Sequence, residues 1–510
     1  MKSIESMQRL FNCGAGLLLA LAFIYSPWAW GCVWPGPLAG LEVILAAAGG
    51  LWILSRMGKA RSVALPRLLL VCIGWILLQG WFMALNAHHA YNSVTHQLMA
   101  THEWVEFLPG ASDQSLAMAS MRHITLLLLA LLIAYDLLAQ RWWRDFFWNL
   151  IAVVGASVAV YGLLARAGIM PPMVVQPSFP TSPFGPFNYH GIAGAFLNLT
   201  IPAQLGLAAI WLSRPGHWAK GIFHTLLALA TISGVLINVS RGAALIGLME
   251  VAAFLFFFIR QYQRSDQFSR KYRTRNYTGP IALVAGAVVI LIVGFIAVMG
   301  PASRWSSFAN YFDTLHSSRV LAWRVTWGMM TTHPFFGSGA GSFKVRFPIS
   351  HHWIQSLYSH WIQTFYHPGH HISQWSYASN DYLQNLVQFG WVGAAAWAGI
   401  LFGWLWQMRK VGLFFNLPPM SVDAVFRLCA GIGLLGVLVH ATFDYPLEIA
   451  SLQLYAVFHL AALYQRQPPM PPEKKQPQND GRPIFPAAEK IPASLPNIDA
   501  ETMSGTTQGG

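Results

Sequence analysis

Twelve apolar runs, most of them about twenty residues long, constrain this chain more than any other feature of its sequence. A helix needs roughly 20 apolar residues to cross a hydrocarbon core about 30 Å thick, and only helices or closed barrels satisfy every backbone polar group there. The runs cover residues 10–31, 37–55, 67–86, 122–140, 147–166, 190–212, 219–238, 242–260, 280–299, 384–407, 426–444 and 447–465. Charged residues make up only 10% of the 510 and hydrophobic ones 55%, whereas a soluble domain carries about 25% charged residues. An ordinary soluble enzyme and a disordered chain are both excluded. The 22 Trp suit a protein with two long membrane interfaces. The expected fold is an all-α integral membrane protein with about 12 transmembrane helices.

A net charge of +13, from 32 Lys and Arg against 19 Asp and Glu, suits nucleic acid when it is clustered on one face. Here its placement points to a membrane, and no nucleic-acid partner is expected. With the N-terminus inside, 24 of the 32 basic residues fall in cytoplasmic segments and eight on the other side, the sense of the positive-inside rule. Arg260, Arg264, Arg270, Lys271, Arg273 and Arg275 make the richest of these loops and read as a topology anchor. Twelve spans then leave both termini in the cytoplasm. The first run is long for a signal-peptide core and lacks a clear small-x-small cleavage site, so it reads as a retained helix. Cys13, Cys32, Cys72 and Cys429 share no metal-ligand spacing and read as small buried apolar residues. From Arg466 onward, nine prolines in 45 residues with balanced charge read as a disordered cytoplasmic tail.

Two outer loops are long: 87–121, with His88, His89, His96 and His102, and 300–383, with Arg304, Arg319, Arg324 and eight histidines. Loops of the second size are uncommon without a function. Arg241 opens the eighth run at the outer end of a tight helical pair, where a cation is costly unless something anionic meets it. A guanidinium fork matches phosphate oxygens in pairs. Arg319 and Arg324 are five apart on a helix and so point to different faces. The run Gly337-Ser338-Gly339-Ala340-Gly341-Ser342-Phe343 lacks the Gly-Lys-Ser/Thr ending of a P-loop and follows no strand. It reads as a turn that lets backbone approach backbone or ligand. Asn380 or Asp381 is placed to cap the tenth helix, and Asp381 is also a candidate base. His440 and Asp444, four apart, share a helix face; Asp444 can orient His440 or pair with an arginine. Asn188 and His190 open the sixth helix on the same side. Glu250 lies inside a run, and a structural partner is expected for it. Cationic forks with candidate bases suit transfer from a lipid-linked pyrophosphate, and with no metal-ligand spacing and no Asp-x-Asp pair, the arginines take the charge-neutralising role.

Several of these segments also form an ordered set. They are Ser240-Arg241-Gly242-Ala243, Ser318-Arg319 with Trp323, and His333-Pro334 with the glycine run. Asn380-Asp381-Tyr382-Leu383-Gln384 follows, leading to Gly390 and Gly393. Phe187-Asn188 with His190, and His440-Ala441-Thr442-Phe443-Asp444-Tyr445-Pro446-Leu447, flank them. In this order the set resembles the O-antigen ligase and polymerase superfamily of bacterial envelope glycan assembly. The resemblance implies a class C glycosyltransferase-like fold in the bacterial inner membrane, with one large periplasmic loop. It implies an undecaprenyl-pyrophosphate-linked glycan as donor, a glycan, lipid or protein as acceptor, contact with membrane lipids, and no cofactor. Two arginines then hold the pyrophosphate, matched here by Arg241 and Arg319, with Arg324 beside them. A histidine that activates the acceptor is expected just before the Asn-Asp-Tyr-Leu stretch, and that slot holds Ser379. His370, His371, His440 or Asp381 is left to substitute, with Asn188, His190, Asn380 and Asp444 as further binding residues. The organisation expected is 1–218 N-terminal helices, 219–407 core including the loop 300–383, 408–465 C-terminal helices and 466–510 tail. A transporter or flippase for lipid-linked glycan, or a non-catalytic assembly scaffold, is the alternative reading.

Overall fold

The structure, a computed structural model, describes residues 2–57, 65–92, 97–101, 105–173, 182–214, 216–269, 286, 318–350, 377–411 and 422–465. The described helices are α1 (Lys2–Trp28), α2 (Pro35–Arg56), α3 (Arg67–Leu85), α4 (Gln114–Leu138), α5 (Arg141–Arg166), α6 (His190–Leu212), α7 (Trp218–Ile237), α8 (Arg241–Ser269), α9 (Ser318–Thr332), α10 (Phe343–Ser350), α11 (Asp381–Val411), α12 (Val422–His440) and α13 (Ala450–Tyr464). A short antiparallel hairpin, β1 (His89–Asn92) with β2 (Gln97–Ala100), pairs His89 with Ala100 between α3 and α4.

Among the described residues, ten helices are long and apolar enough to cross a membrane: α1 to α8, α11 and α12. The chain is an all-α integral membrane protein. The run 447–465 forms the 15-residue α13, preceded by a 3-10 turn at Pro446–Glu448. Apart from Gly286, the run 280–299 lies outside the described residues, as do His370, His371 and the tail from Arg466. The eleventh run was expected to stay helical to 444, but α12 ends at His440 and the next four residues turn, with Asp444 N–H donating to the His440 carbonyl at 3.1 Å.

α6 is the central post. Every residue from Gly191 to Ile210 is buried, and α5, α7, α8 and α12 pack around it. Such close approach in a membrane needs small residues at the crossings. A methyl group on Gly155 of α5 would stand 2.2 Å from Thr200 Oγ1, and one on Gly194 2.3 Å from Ala243 Cβ of α8. The buried amides on α6 are tied to neighbours: Asn198 donates to the Ala243 carbonyl at 2.9 Å, and Gln204 to the Ala152 carbonyl and Thr231 Oγ1 at 2.9 and 2.8 Å. The outer helices turn apolar side chains outward, among them Leu17, Leu21, Val43, Val71, Leu78, Leu226, Leu245 and Met249, the faces a membrane covers. Cys13 also faces outward rather than being buried, while Cys32, Cys72 and Cys429 are interior. Glu250 corrects the expectation of a structural partner: it is buried against Gly436 of α12, and neither carboxyl oxygen has a hydrogen-bond partner among the described residues.

α9, α10 and the start of α11 share a smaller core of Ala322, Val325, Met329, Met330, Phe343, Phe347, Leu386 and Val387. The glycine run lies against a break in α11. Gly390 has φ +62°, and freed backbone groups on both sides of it find partners in the run and just before it: Ser338 N–H on Val387 O and Gly339 N–H on Gln388 O, both at 2.9 Å, and Trp391 N–H on Pro334 O at 2.8 Å. Gln79 of α3 adds hydrogen bonds to the carbonyls of Phe336 and Phe389 at 3.0 and 2.8 Å. A broken membrane helix is tolerated where neighbours re-satisfy its backbone in this way. The run thus brings backbone to backbone, one of the two uses its composition implied.

Candidate active site

Five chain segments meet at one end of the bundle: 187–191 at the start of α6, the α7–α8 corner, the start of α9, 377–384 at the start of α11, and 440–448 after α12. Asp444 is the hub. Its side chain is almost fully buried, and Gly191 makes room for it, since a methyl group there would stand 2.5 Å from Asp444 Oδ2. Oδ2 accepts the Tyr189 hydroxyl at 3.3 Å and lies 3.7 Å from His440 Nε2 and 4.0 Å from Arg319 Nη2. Oδ1 accepts the N–H of Tyr445 at 3.1 Å. Burial alone would raise the Asp444 carboxyl, yet His440, Arg319 and the Tyr445 N–H hold it below the usual carboxylate range. The Tyr189 hydroxyl is raised, first by burial and then by Asp444.

Arg319 is oriented by protein acceptors. Nη1 donates to the Phe443 carbonyl and Nη2 to the Tyr189 hydroxyl, both at 2.8 Å, while 29% of the side chain stays exposed. Arg241 is the exposed first residue of α8, behind Ser240, whose Oγ accepts the Ala243 N–H at 3.2 Å. The next residue, Gly242, packs on the Phe443 ring, where a methyl group would stand 2.5 Å from Cε2. Phe443 therefore joins the two arginine positions, its ring against Gly242 and its carbonyl on Arg319. Arg324 is exposed elsewhere on α9, as five-residue spacing required. Asn238, the residue after α7, donates to the His190 carbonyl at 2.7 Å and clamps that corner to α6. His190 is partly buried, with its ring 4.6 Å from that of Tyr189, and Asn188 is partly buried just before it. His440 is 1% exposed and stacks on Phe443 at 5.0 Å.

Asn380 is the helix cap. Its Oδ1 accepts the Leu383 N–H at 3.0 Å and its Nδ2 donates to the Thr442 carbonyl at 2.9 Å, which binds α11 to the 441–444 turn. Asp381 is buried, donates its N–H to the Ala441 carbonyl at 3.0 Å, and accepts the Leu447 N–H on Oδ2 at 2.8 Å. Ser379 is buried with φ +52°, and its carbonyl accepts Trp323 Nε1–H at 3.0 Å. It is a fixed backbone corner between α9 and α11.

Three tyrosines and a glutamate belong to this site although sequence reasoning did not single them out. Tyr377 and Tyr445 stack at 4.5 Å and 10°, and Tyr445 and Tyr189 at 5.8 Å and 8°. Lys344 of α10 lies with Nζ 5.4 Å from the Tyr377 ring centroid. Glu448 ends the 3-10 turn beside Asp381; burial pushes its carboxyl up to about 7, against the opposing pull of Lys344 and a hydrogen bond from Gln384. Tyr189 and Tyr445 each adjoin a polar motif residue, the one signal available in the sequence; Glu448 carries none. Among the described residues, no three His, Cys, Asp or Glu side chains are grouped to share a metal ion.

Residues 226–398 match the O-antigen ligase family. The match supports membership of the O-antigen ligase superfamily, and with it a glycan-transferring enzyme of the envelope in general terms. It spans Arg241, Arg319, Arg324, Asn380 and Asp381, while Asn188, Tyr189, His190, His440, Asp444 and Glu448 lie outside it. No curated protein matches the chain.

Proposed function

We propose that this member of the O-antigen ligase superfamily transfers a glycan from an undecaprenyl-pyrophosphate donor to an acceptor hydroxyl. The acceptor is a lipid, a protein or a growing polysaccharide. The reaction takes place at the periplasmic face of the bacterial inner membrane, with both termini in the cytoplasm. The observation that carries this reading is Arg319, a partly exposed guanidinium whose orientation is set by the Phe443 carbonyl and the Tyr189 hydroxyl. A cation held in place before the substrate arrives stabilises charge as it develops, with no reorganisation during the step. Arg241, whose neighbour Gly242 packs on the Phe443 ring, supplies a second fork, while Arg324 stands exposed elsewhere on α9.

The chemistry is a displacement at the anomeric carbon. The acceptor oxygen forms a bond to that carbon, the carbon–oxygen bond to phosphate breaks, and its electron pair leaves on the lipid pyrophosphate. The arginines take up that negative charge, which makes the step independent of a divalent metal. The acceptor proton passes to a base on the other side of the sugar.

The test uses the full chain in lipid, a synthetic undecaprenyl-pyrophosphate oligosaccharide and a panel of acceptors, with chelator and no nucleotide, read by mass spectrometry. Wild type transfers the glycan, and Arg319→Ala and Arg241→Ala, stably inserted, do not. Full activity of both variants would overturn the reading.

A further inference from the structure

We propose that Glu448 is the group that takes the proton from the acceptor hydroxyl, with Asp381 as the positioning residue beside it. This rests on the transferase reading and deepens it.

The argument begins with how the two carboxyls are brought together. The 3-10 turn Pro446–Glu448 delivers the Leu447 N–H to Asp381 Oδ2 at 2.8 Å. The next residue is Glu448, whose charge acts on the Asp381 carboxyl. Asp381 Oδ1 is buried and has no hydrogen-bond partner among the described residues. Gln384, one turn further along α11, accepts the Ala378 N–H on Oε1 at 2.8 Å, which leaves its amide N–H for Glu448. The charged and titratable groups facing Glu448 are thus Asp381 of α11, Lys344 of α10 and Tyr377 before α11, with Asp444 four residues back along its own segment.

Position separates Glu448 from the other candidates. His440 and Asp381 are almost fully buried, and Asp444 is committed to Tyr189, the Tyr445 N–H and the Arg319 charge. Glu448 is only partly buried. A stack of tyrosines also links its neighbourhood to the arginine. The stack Tyr377–Tyr445–Tyr189 runs from its neighbourhood to the hydroxyl that holds Arg319, in two ring-to-ring steps of 4.5 and 5.8 Å. An attacking hydroxyl and a leaving phosphate lie on opposite sides of a sugar ring. Burial raises the Glu448 carboxyl toward neutrality, the range in which a base is most effective.

In the step, the acceptor oxygen bonds to the anomeric carbon as its proton moves to the Glu448 carboxylate. The bond to phosphate breaks with its electron pair on the pyrophosphate. Glu448 then returns the proton to water. Asp381, its carboxyl buried and acted on by Glu448, accepts the Leu447 N–H and so fixes the turn that carries Glu448.

The experiment measures donor binding and the pH–rate profile separately, on the full chain in lipid, for wild type, Glu448→Gln, Glu448→Asp and Asp381→Asn. Glu448→Gln is expected to bind the undecaprenyl-pyrophosphate oligosaccharide as wild type does, to lose roughly 10²–10⁴-fold in rate, and to lose the acidic limb of the profile. Glu448→Asp keeps part of the rate with a displaced limb, and Asp381→Asn displaces the limb without loss of donor affinity. A wild-type rate and limb in Glu448→Gln, or an unmoved limb in Glu448→Asp, would overturn the assignment. A wild-type protein that binds donor but transfers to no acceptor would instead bring down the transferase reading.

Discussion

Arg319 and Tyr189, 130 residues apart, meet at 2.8 Å, and the tyrosine hydroxyl that accepts from the guanidinium donates in turn to Asp444 at 3.3 Å. The relay sets the guanidinium by a neutral oxygen, with the carboxylate 4.0 Å behind it. An intimate Arg–Asp pair would spend the cation's charge on the protein; this arrangement aims the fork and keeps part of it exposed. Removing the hydroxyl and removing the guanidinium should therefore not act independently. In a double-mutant cycle on transfer rate, Tyr189→Phe and Arg319→Ala are expected to couple by about 1–2 kcal/mol, with Tyr189→Phe nearly silent once Arg319 is gone. Strict additivity would show that the two act separately.

Gly191 tests the packing of the hub. A methyl group there meets Asp444 Oδ2 and Tyr189 Cε1, each at 2.5 Å, and neither is free to withdraw without breaking the relay. Gly191→Ala is expected to cost about 1–3 kcal/mol in stability and to lower transfer more than a change of that size on the lipid-facing side of the bundle. Thermal unfolding in detergent alongside the rate assay checks both.

Gly390 tests the broken helix. Its φ of +62° is unfavourable for a side chain, and a methyl group would stand 2.3 Å from the Phe335 carbonyl oxygen, which is backbone and cannot swing aside. Gly390→Ala is expected to destabilise by at least about 1–3 kcal/mol and to lower the yield of inserted protein. A reciprocal effect is expected for Gly337→Ala, whose methyl group would meet the Gln388 carbonyl carbon at 2.5 Å.

Two pH windows should separate. Glu448 is raised to about 7, so its carboxylate is lost as pH falls through that value, and the rate should drop about tenfold per unit below it. Its effect on stability has the opposite sense. A raised carboxyl contributes stability that is fully present below its unfolded value and lost as pH rises through about 7, so Glu448→Gln should unfold at a higher temperature than wild type at pH 8. Asp444 is lowered, so its contribution is present above the ordinary carboxylate range and is lost as pH falls through its lowered folded value. Rate measured from about pH 5 to 9, and unfolding temperature from about pH 2 to 9, check all three signs.

Much of the architecture was legible because its cause is local. A run of apolar residues long enough to cross hydrocarbon must satisfy its own backbone as a helix wherever it sits, so the spans at α1 to α8, α11 and α12 follow from the sequence. The opposed directions of Arg319 and Arg324, the cap before α11 and the backbone role of the glycine run have equally local reasons. Which of Asn380 and Asp381 is the cap, and the burial of Glu250 with no hydrogen-bond partner among the described residues, were not legible, because each depends on how distant segments pack.

The site was half legible for the same reason. Its polar residues stand out against apolar surroundings, which marks Arg241, Arg319, Asp381, His440 and Asp444 in the sequence alone. Only the tertiary structure decided that Arg319 answers to Tyr189 and Phe443, that three tyrosines from separate segments form one stack, and that Glu448 stands beside Asp381. A short turn with one acid in it looks like any other turn in a sequence. What gives Glu448 its character is desolvation where α6, α11 and α12 pack around its turn, and burial is a property of packing across the chain that no local pattern encodes.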